Sequence, residues 1–90
     1  KLQVLNATGD DTSFEKVKDR LKNKGYKIED IGTTTISKTT KVINRNEKKE
    51  EVVDELVNTL GYGNISEGKK ALDYDITIIV GQDMNQVVYE

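Results

Sequence analysis

The sequence predicts a small two-layer α/β domain: a mixed sheet of about four strands with two helices, in the order β-α-β-β-α-β. Three observations predict it. Two segments carry one apolar stripe each at helical spacing, Phe14, Val17 and Leu21 in the first and Val53, Leu56, Val57 and Leu60 in the second. Short apolar runs bounded by turn residues lie before, between and after those segments. One of these runs, Asp75-Ile76-Thr77-Ile78-Ile79-Val80, is apolar on both faces, which reads as a central strand.

The elements follow in order. Leu2–Asn6 is a short apolar run that ends in the turn cluster Asn6-Ala7-Thr8-Gly9-Asp10 and reads as a strand. Thr12 to Lys24 has helical spacing. Thr12 with Glu15 matches a capping box, in which the hydroxyl and the carboxylate each satisfy a free backbone N–H. Gly25 suits the left-handed position that ends the helix. Tyr26–Ile31 alternates Tyr26 and Ile28 with Lys27 and Glu29, the pattern of a half-buried strand. Gly32 to Thr40, rich in Thr and Ser, reads as an exposed connection, and Lys41–Asn44 as a third strand. Asn46 is placed to cap a second helix over residues 47–60, which Gly61 and Gly63 end. Ile65 marks a very short strand or a turn. Asp75–Val80 is the central strand, closed by Gly81-Gln82-Asp83. The tail Val87-Val88-Tyr89 either adds an edge strand or hangs free. The first β-α-β unit crosses over right-handed and makes its two strands parallel neighbours.

With 90 residues the chain is one domain, spanning 1–90. It has no Cys, so no disulfide, thiolate metal site or thiol nucleophile can form, and no His, the commonest general base. No Trp and a single Phe argue against an aromatic platform for stacking bases. No apolar run reaches the ~18 residues of a membrane span. The chain opens at Lys1, one residue before a strand, which reads as a piece of a longer protein. Any membrane attachment then comes through segments outside this chain.

Several motifs invite a chemical reading. Asn6, Thr8 and Gly9 lie between a strand and a helix N-terminus, where turn N–H groups and the helix dipole can hold an anion. The competing reading is a self-bonded turn, and Asp10 and Asp11 would repel an anion there. Gly63-Asn64-Ile65-Ser66-Glu67-Gly68-Lys69-Lys70 nearly spells a phosphate loop. It lacks the Ser or Thr after the Lys that binds magnesium, so no nucleotide cofactor is expected. Asp73, Asp75 and Asp83 are carboxylates near one strand, but Asp75 and Asp83 flank opposite ends of it, about 20 Å apart at ~3.3 Å per residue. No catalytic set and no metal site converge.

Charge is segregated. Thr12 to Lys27 holds six cations against two acids, and Asn46 to Leu60 five acids against two lysines. Lys16, Arg20 and Lys24 fall at i, i+4 and i+8, one line along the first helix, which is the candidate surface for a polyanion. If both helices share a sheet face, the side of the first turned away from the second is expected to stay basic. A nucleic-acid-binding domain using this helix is the alternative function. The net charge of −2 argues against it, since nucleic-acid binders carry a strongly basic footprint.

The short runs also resemble those of a known family. Leu2-Gln3-Val4-Leu5-Asn6-Ala7-Thr8-Gly9 resembles the opening V-x-V-L-N-G-T-G of the LytR C-terminal domain of the LytR/CpsA/Psr cell-envelope proteins. Leu21 with Gly25-Tyr26-Lys27-Ile28 is similar to its L-x-x-x-G-[FY]-x-V, and Thr40-Lys41-Val42-Ile43 to its T-x-V-I. Leu56 to Gly61 is similar to the Leu-Gly exit of its second helix. Asp75-Ile76-Thr77-Ile78-Ile79-Val80-Gly81 with Asp83 resembles its closing D-[VI]-T-[VI]-V-L-G-x-D. The resemblance runs from Leu2 to Met84, leaving 85–90 as a tail. Ala7 stands where the family has Gly, its second loop Gly falls on Thr12, and the family's Pro-Gly pair after the third strand is absent. The resemblance implies a non-catalytic accessory module in bacterial cell-wall assembly, outside the membrane of a Gram-positive-type cell. It would bind an anionic wall polymer or another envelope protein. It does not imply the phosphotransferase chemistry of the neighbouring catalytic domain.

Overall fold

The last of the described strands occupies the middle of the sheet. The computed structural model describes residues 2–46, 50–61, 63–68 and 74–85. The elements are β1 (Leu2–Asn6), α1 (Asp11–Asn23), β2 (Ile28–Thr33), β3 (Lys41–Asn44), α2 (Glu50–Leu60), β4 (Asn64–Glu67) and β5 (Ile76–Val80), followed by a 3-10 turn over Gln82–Met84. The sheet order is β2-β1-β5-β3-β4. β5 runs parallel to β1, from Leu2↔Ile76 to Asn6↔Val80, and antiparallel to β3, with Val42↔Ile78. β2 is parallel to β1 and β4 is parallel to β3.

Two β-α-β units, β1-α1-β2 and β3-α2-β4, therefore point in opposite directions on either side of β5. A half-turn about an axis normal to the sheet exchanges up with down and left with right. It keeps the face, so crossovers of the same hand place both helices together. Their buried residues form one core. Phe14, Val17 and Leu21 of α1 and Val53, Leu56 and Leu60 of α2 pack over Leu2, Val4, Val42, Ile76, Ile78 and Val80, with Met84 closing one end. Leu21, Leu56, Leu60 and Ile78 are fully buried, and each such side chain contributes about 1.5–3 kcal/mol over its exposed state.

Local chemistry moves several boundaries from those the sequence predicts. The cap of α1 is Asp10, with extended backbone, whose carboxylate accepts from the Thr12 N–H at 3.0 Å and the Ser13 hydroxyl at 3.1 Å. Thr12 sits inside the first turn, so the Thr12–Glu15 capping box does not form the cap. At the other end Gly25 takes φ 92°. The Gly25 N–H reaches the Lys22 carbonyl at 3.0 Å and the Tyr26 N–H the Leu21 carbonyl at 3.1 Å, a Schellman closure. That closure uses the main chain of Tyr26, so β2 starts at Ile28 rather than at Tyr26, and runs on through Gly32 and Thr33. A register shift opposite Leu2 and Gln3 turns Ile31 to the helix side at the sheet edge, where it stays 45% exposed. Of the Gly32–Thr40 connection, Thr40 is fully buried rather than exposed. The Ile65 run forms β4, a fifth strand. Residues 47–49, where Asn46 was placed as cap, and the tail from Gln86 lie outside the described residues.

Candidate functional site

The strand–helix turn holds itself together. Asn6 Oδ1 accepts from the Thr8 N–H at 3.0 Å and the Thr8 hydroxyl at 2.6 Å, and Asn6 Nδ2 donates to Asp11 Oδ1 at 3.2 Å. Thr8 Oγ1 in turn accepts from the Asp10 N–H at 2.9 Å. Both side chains are buried. Gly9 takes φ 72°, and Ile36 lies over it so closely that a Cβ there would come within 3.1 Å of Ile36 Cδ1. Within the candidate loop Asn6, Thr8 and Gly9, the side chains of Asn6 and Thr8 are thus bonded within the turn itself, and an anion would have to displace them there.

The same end of the sheet carries a clasp that spans 43 residues of sequence. Fully buried Thr40 donates its hydroxyl to Asp83 Oδ1 at 2.5 Å and its N–H to Asp83 Oδ2 at 2.9 Å. The same hydroxyl accepts from the Gly81 N–H at 3.0 Å. Main-chain bonds extend the clasp, from the Gln82 N–H to the Ser37 carbonyl at 2.8 Å and from the Ser37 N–H to the Ala7 carbonyl at 3.0 Å. Asp83 is held in this clasp. Asp75, at the opposite end of β5, accepts from Asn46 Nδ2 at 2.9 Å. Asp73 lies outside the described residues. Among the described residues no group of three or more Asp and Glu side chains gathers to hold a metal ion, and no helix is long and apolar enough to cross a membrane.

The basic line of α1 is divided by its neighbour. Arg20 turns toward α2 and donates Nε to the Thr59 carbonyl at 3.2 Å, at the C-terminal end of that helix where unpaired carbonyls attract a cation. The line Lys16, Arg20, Lys24 therefore lies on the flank facing α2, not on the far side where the sequence alone places it. Lys16 and Lys24 remain exposed on that flank, and Lys22 is exposed on the other. Among the described residues none of these three ammonium groups has an ion-pair partner. Lys18 is bound to Glu15 at 2.7 Å and lies 5.8 Å from the centre of the Phe14 ring. Beside α1, the Tyr26 hydroxyl donates to the Glu55 carboxylate of α2. Partial burial, and then that carboxylate, push the phenol above its ordinary 10.0.

Two further surfaces carry polar chemistry. On the sheet face without helices, Gln3 donates to Asp30 at 3.1 Å and accepts from Thr77 at 3.1 Å, and Arg45 Nε donates to Thr77 at 3.0 Å. On the helix side, Asn44, Glu50, Val53, Asp54 and Ile65 line an acidic cleft of about 170 Å³ between α2 and β4. Sequence spacing does not reveal that cleft, because Ile65 reaches it only through the β3–β4 pairing. The signal available in the sequence is an isolated apolar residue in a polar run.

A family model described as LytR cell envelope-related transcriptional attenuator matches residues 1–83. A solution structure of the C-terminal domain of RV0431 is similar in fold, with TM-score 0.57 and 21% identity, covering 89% of this chain and 70% of that one. No curated protein matches the sequence.

Proposed function

The chain belongs to the LytR C-terminal family of cell envelope-related transcriptional attenuators, and we propose that it serves as a non-catalytic accessory module outside the membrane, holding its protein to an anionic polymer of the bacterial wall. The observation that carries this reading is the set of exposed ammonium groups of Lys16 and Lys22 on α1 and Lys24 at its C-cap, which have no ion-pair partner among the described residues. Lys18, by contrast, is tied to Glu15. Arg20 supports the surface differently, by pinning α1 to α2 and fixing the direction in which Lys16 and Lys24 project. A repeating anion needs only spaced cations along one element, here on both flanks of α1, with no enclosed pocket, and its binding is weak singly and additive along the polymer. The test is retention of the domain on purified Gram-positive cell wall before and after its anionic polymers are extracted. Retention that disappears with the polymers supports the reading. Equal retention on both preparations overturns it.

A further inference from the structure

We propose that the outer edge of β4 takes a cationic, extended segment of a partner protein as an added strand. The backbone supplies the first part of the argument. The Asn64 N–H points inward to the Thr40 carbonyl at 3.0 Å and the Gly68 N–H to the Asn44 carbonyl at 3.0 Å. Strand alternation then directs the N–H and C=O groups of Ile65 and Glu67 outward. Among the described residues no strand pairs with that edge. Such an edge is a template for another chain unless Pro, a bulge or charge blunts it; the four-residue Asn64-Ile65-Ser66-Glu67 has no Pro and no bulge, and its one charge, Glu67, disfavours an acidic strand and favours a cationic one.

Side chains supply the second part. Ile65 is 51% exposed at the mouth of the cleft it shares with Glu50, Val53 and Asp54. Among the described residues the cleft lining holds two carboxylates, Glu50 and Asp54, and no cation. Pairing of two β4 edges from two copies would bring Glu50 and Asp54 of both together, which like-charge repulsion opposes. A cationic strand meets the opposite condition.

Geometry then sets the pattern of the occupant. Its residue opposite Ile65 lies over the cleft and should be apolar. The residue two positions along faces the same side. Because α2 returns antiparallel to β3 and β4, Glu50 lies toward the C-terminal end of β4, so that second residue should be Lys or Arg and should fall at the Glu67 end. The site is independent of the lysines on α1, so the two proposals can fail separately.

The experiment uses the isotope-labelled 90-residue domain and three capped hexapeptides: a Lys-Val peptide, Thr-Val-Thr-Lys-Thr-Thr, whose Val and Lys stand two positions apart and share a face, its Glu-Val counterpart with Glu in place of Lys, and Lys alone. The Lys-Val peptide is expected to shift the amides of Ile65 and Glu67 and to slow their hydrogen exchange, leaving α1 unmoved. The Glu-Val peptide should do nothing, and the Lys peptide should not slow exchange. Glu50→Lys with Asp54→Lys should weaken Lys-Val binding about tenfold. Ile65→Pro, which removes an outward N–H while leaving the bonds to β3, should abolish the exchange effect. An equal effect from the Lys peptide, unchanged binding by the charge-reversed variant, or shifts mapping elsewhere would each overturn the proposal.

Discussion

Replacing Thr40 with Val preserves side-chain shape and deletes the hydroxyl on which two loops close. In the folded protein that hydroxyl donates to the Asp83 carboxylate and accepts from the Gly81 N–H, with Thr40 fully buried. A hydrogen bond to a charged group contributes about 1.5–3 kcal/mol, and a buried N–H left without an acceptor costs about 1–3 kcal/mol. The two share one oxygen and do not add fully, so the expected loss is about 3 kcal/mol. At ~4–8 °C per kcal/mol for a domain this small, the melting temperature should fall by roughly 12–24 °C. The assay is urea denaturation of wild type, Thr40→Val, Thr40→Ser, Asp83→Asn and the Thr40→Val/Asp83→Asn pair. Thr40→Ser keeps the hydroxyl and should lose less than Thr40→Val despite its missing methyl. The double variant should lose less than the sum of its parts. A Thr40→Val protein as stable as wild type, or more stable than Thr40→Ser, refutes the reasoning.

Gly81→Ala should cost about 1–3 kcal/mol by crowding, because a Cβ there would stand 2.4 Å from the Thr39 carbonyl carbon and oxygen; an unchanged denaturation midpoint would count against it. Leu21→Ala, in the fully buried stripe of α1, should cost about 2–5 kcal/mol in the same measurement. Tyr26 has a folded pKa above 10.0, so its contribution is fully present below that value and is lost as pH rises through the folded value. The stability gap between wild type and Tyr26→Phe should therefore hold steady at neutral pH and shrink in alkali, and a pH-independent gap in melting experiments would contradict this. The isolated domain should show no hydrolysis or phosphotransfer on envelope precursors. Turnover abolished by replacing a single Asp or Glu would reverse that expectation.

Much of the fold was legible because its signals are local. β1 and β3 appear at the predicted residues, since turn residues bound short apolar runs on both sides. The helical stripes named the buried core apart from Val57, which is only partly buried against it, because burial follows periodicity. Boundaries moved where a competing local bond won, as when Asp10 rather than Thr12 capped α1 and the Schellman closure delayed β2. Strand order was not legible. The two apolar faces of Ile76–Val80 place it centrally, but nothing in them says that it separates two β-α-β units. The functional surface divides in the same way. The spacing of Lys16, Arg20 and Lys24 is a sequence fact, whereas the engagement of Arg20 depends on where α2 ends in space. The Thr40–Asp83 clasp joins two residues 43 positions apart, and only their places beside β3 and after β5 hint at it.

The central claim is that α1 presents a polyanion-binding surface, and calorimetric titration with purified teichoic-acid-type polymer tests it most directly. Wild type should bind at low salt and weaken steeply toward physiological ionic strength, where screening falls to about 8 Å. The Lys16→Gln/Lys22→Gln/Lys24→Gln variant should melt like wild type, since these side chains are exposed, and should lose binding at every salt concentration. Arg20 stays in place, so helix packing is not disturbed. Undiminished binding by that variant, or no binding by wild type at any salt, would contradict the account.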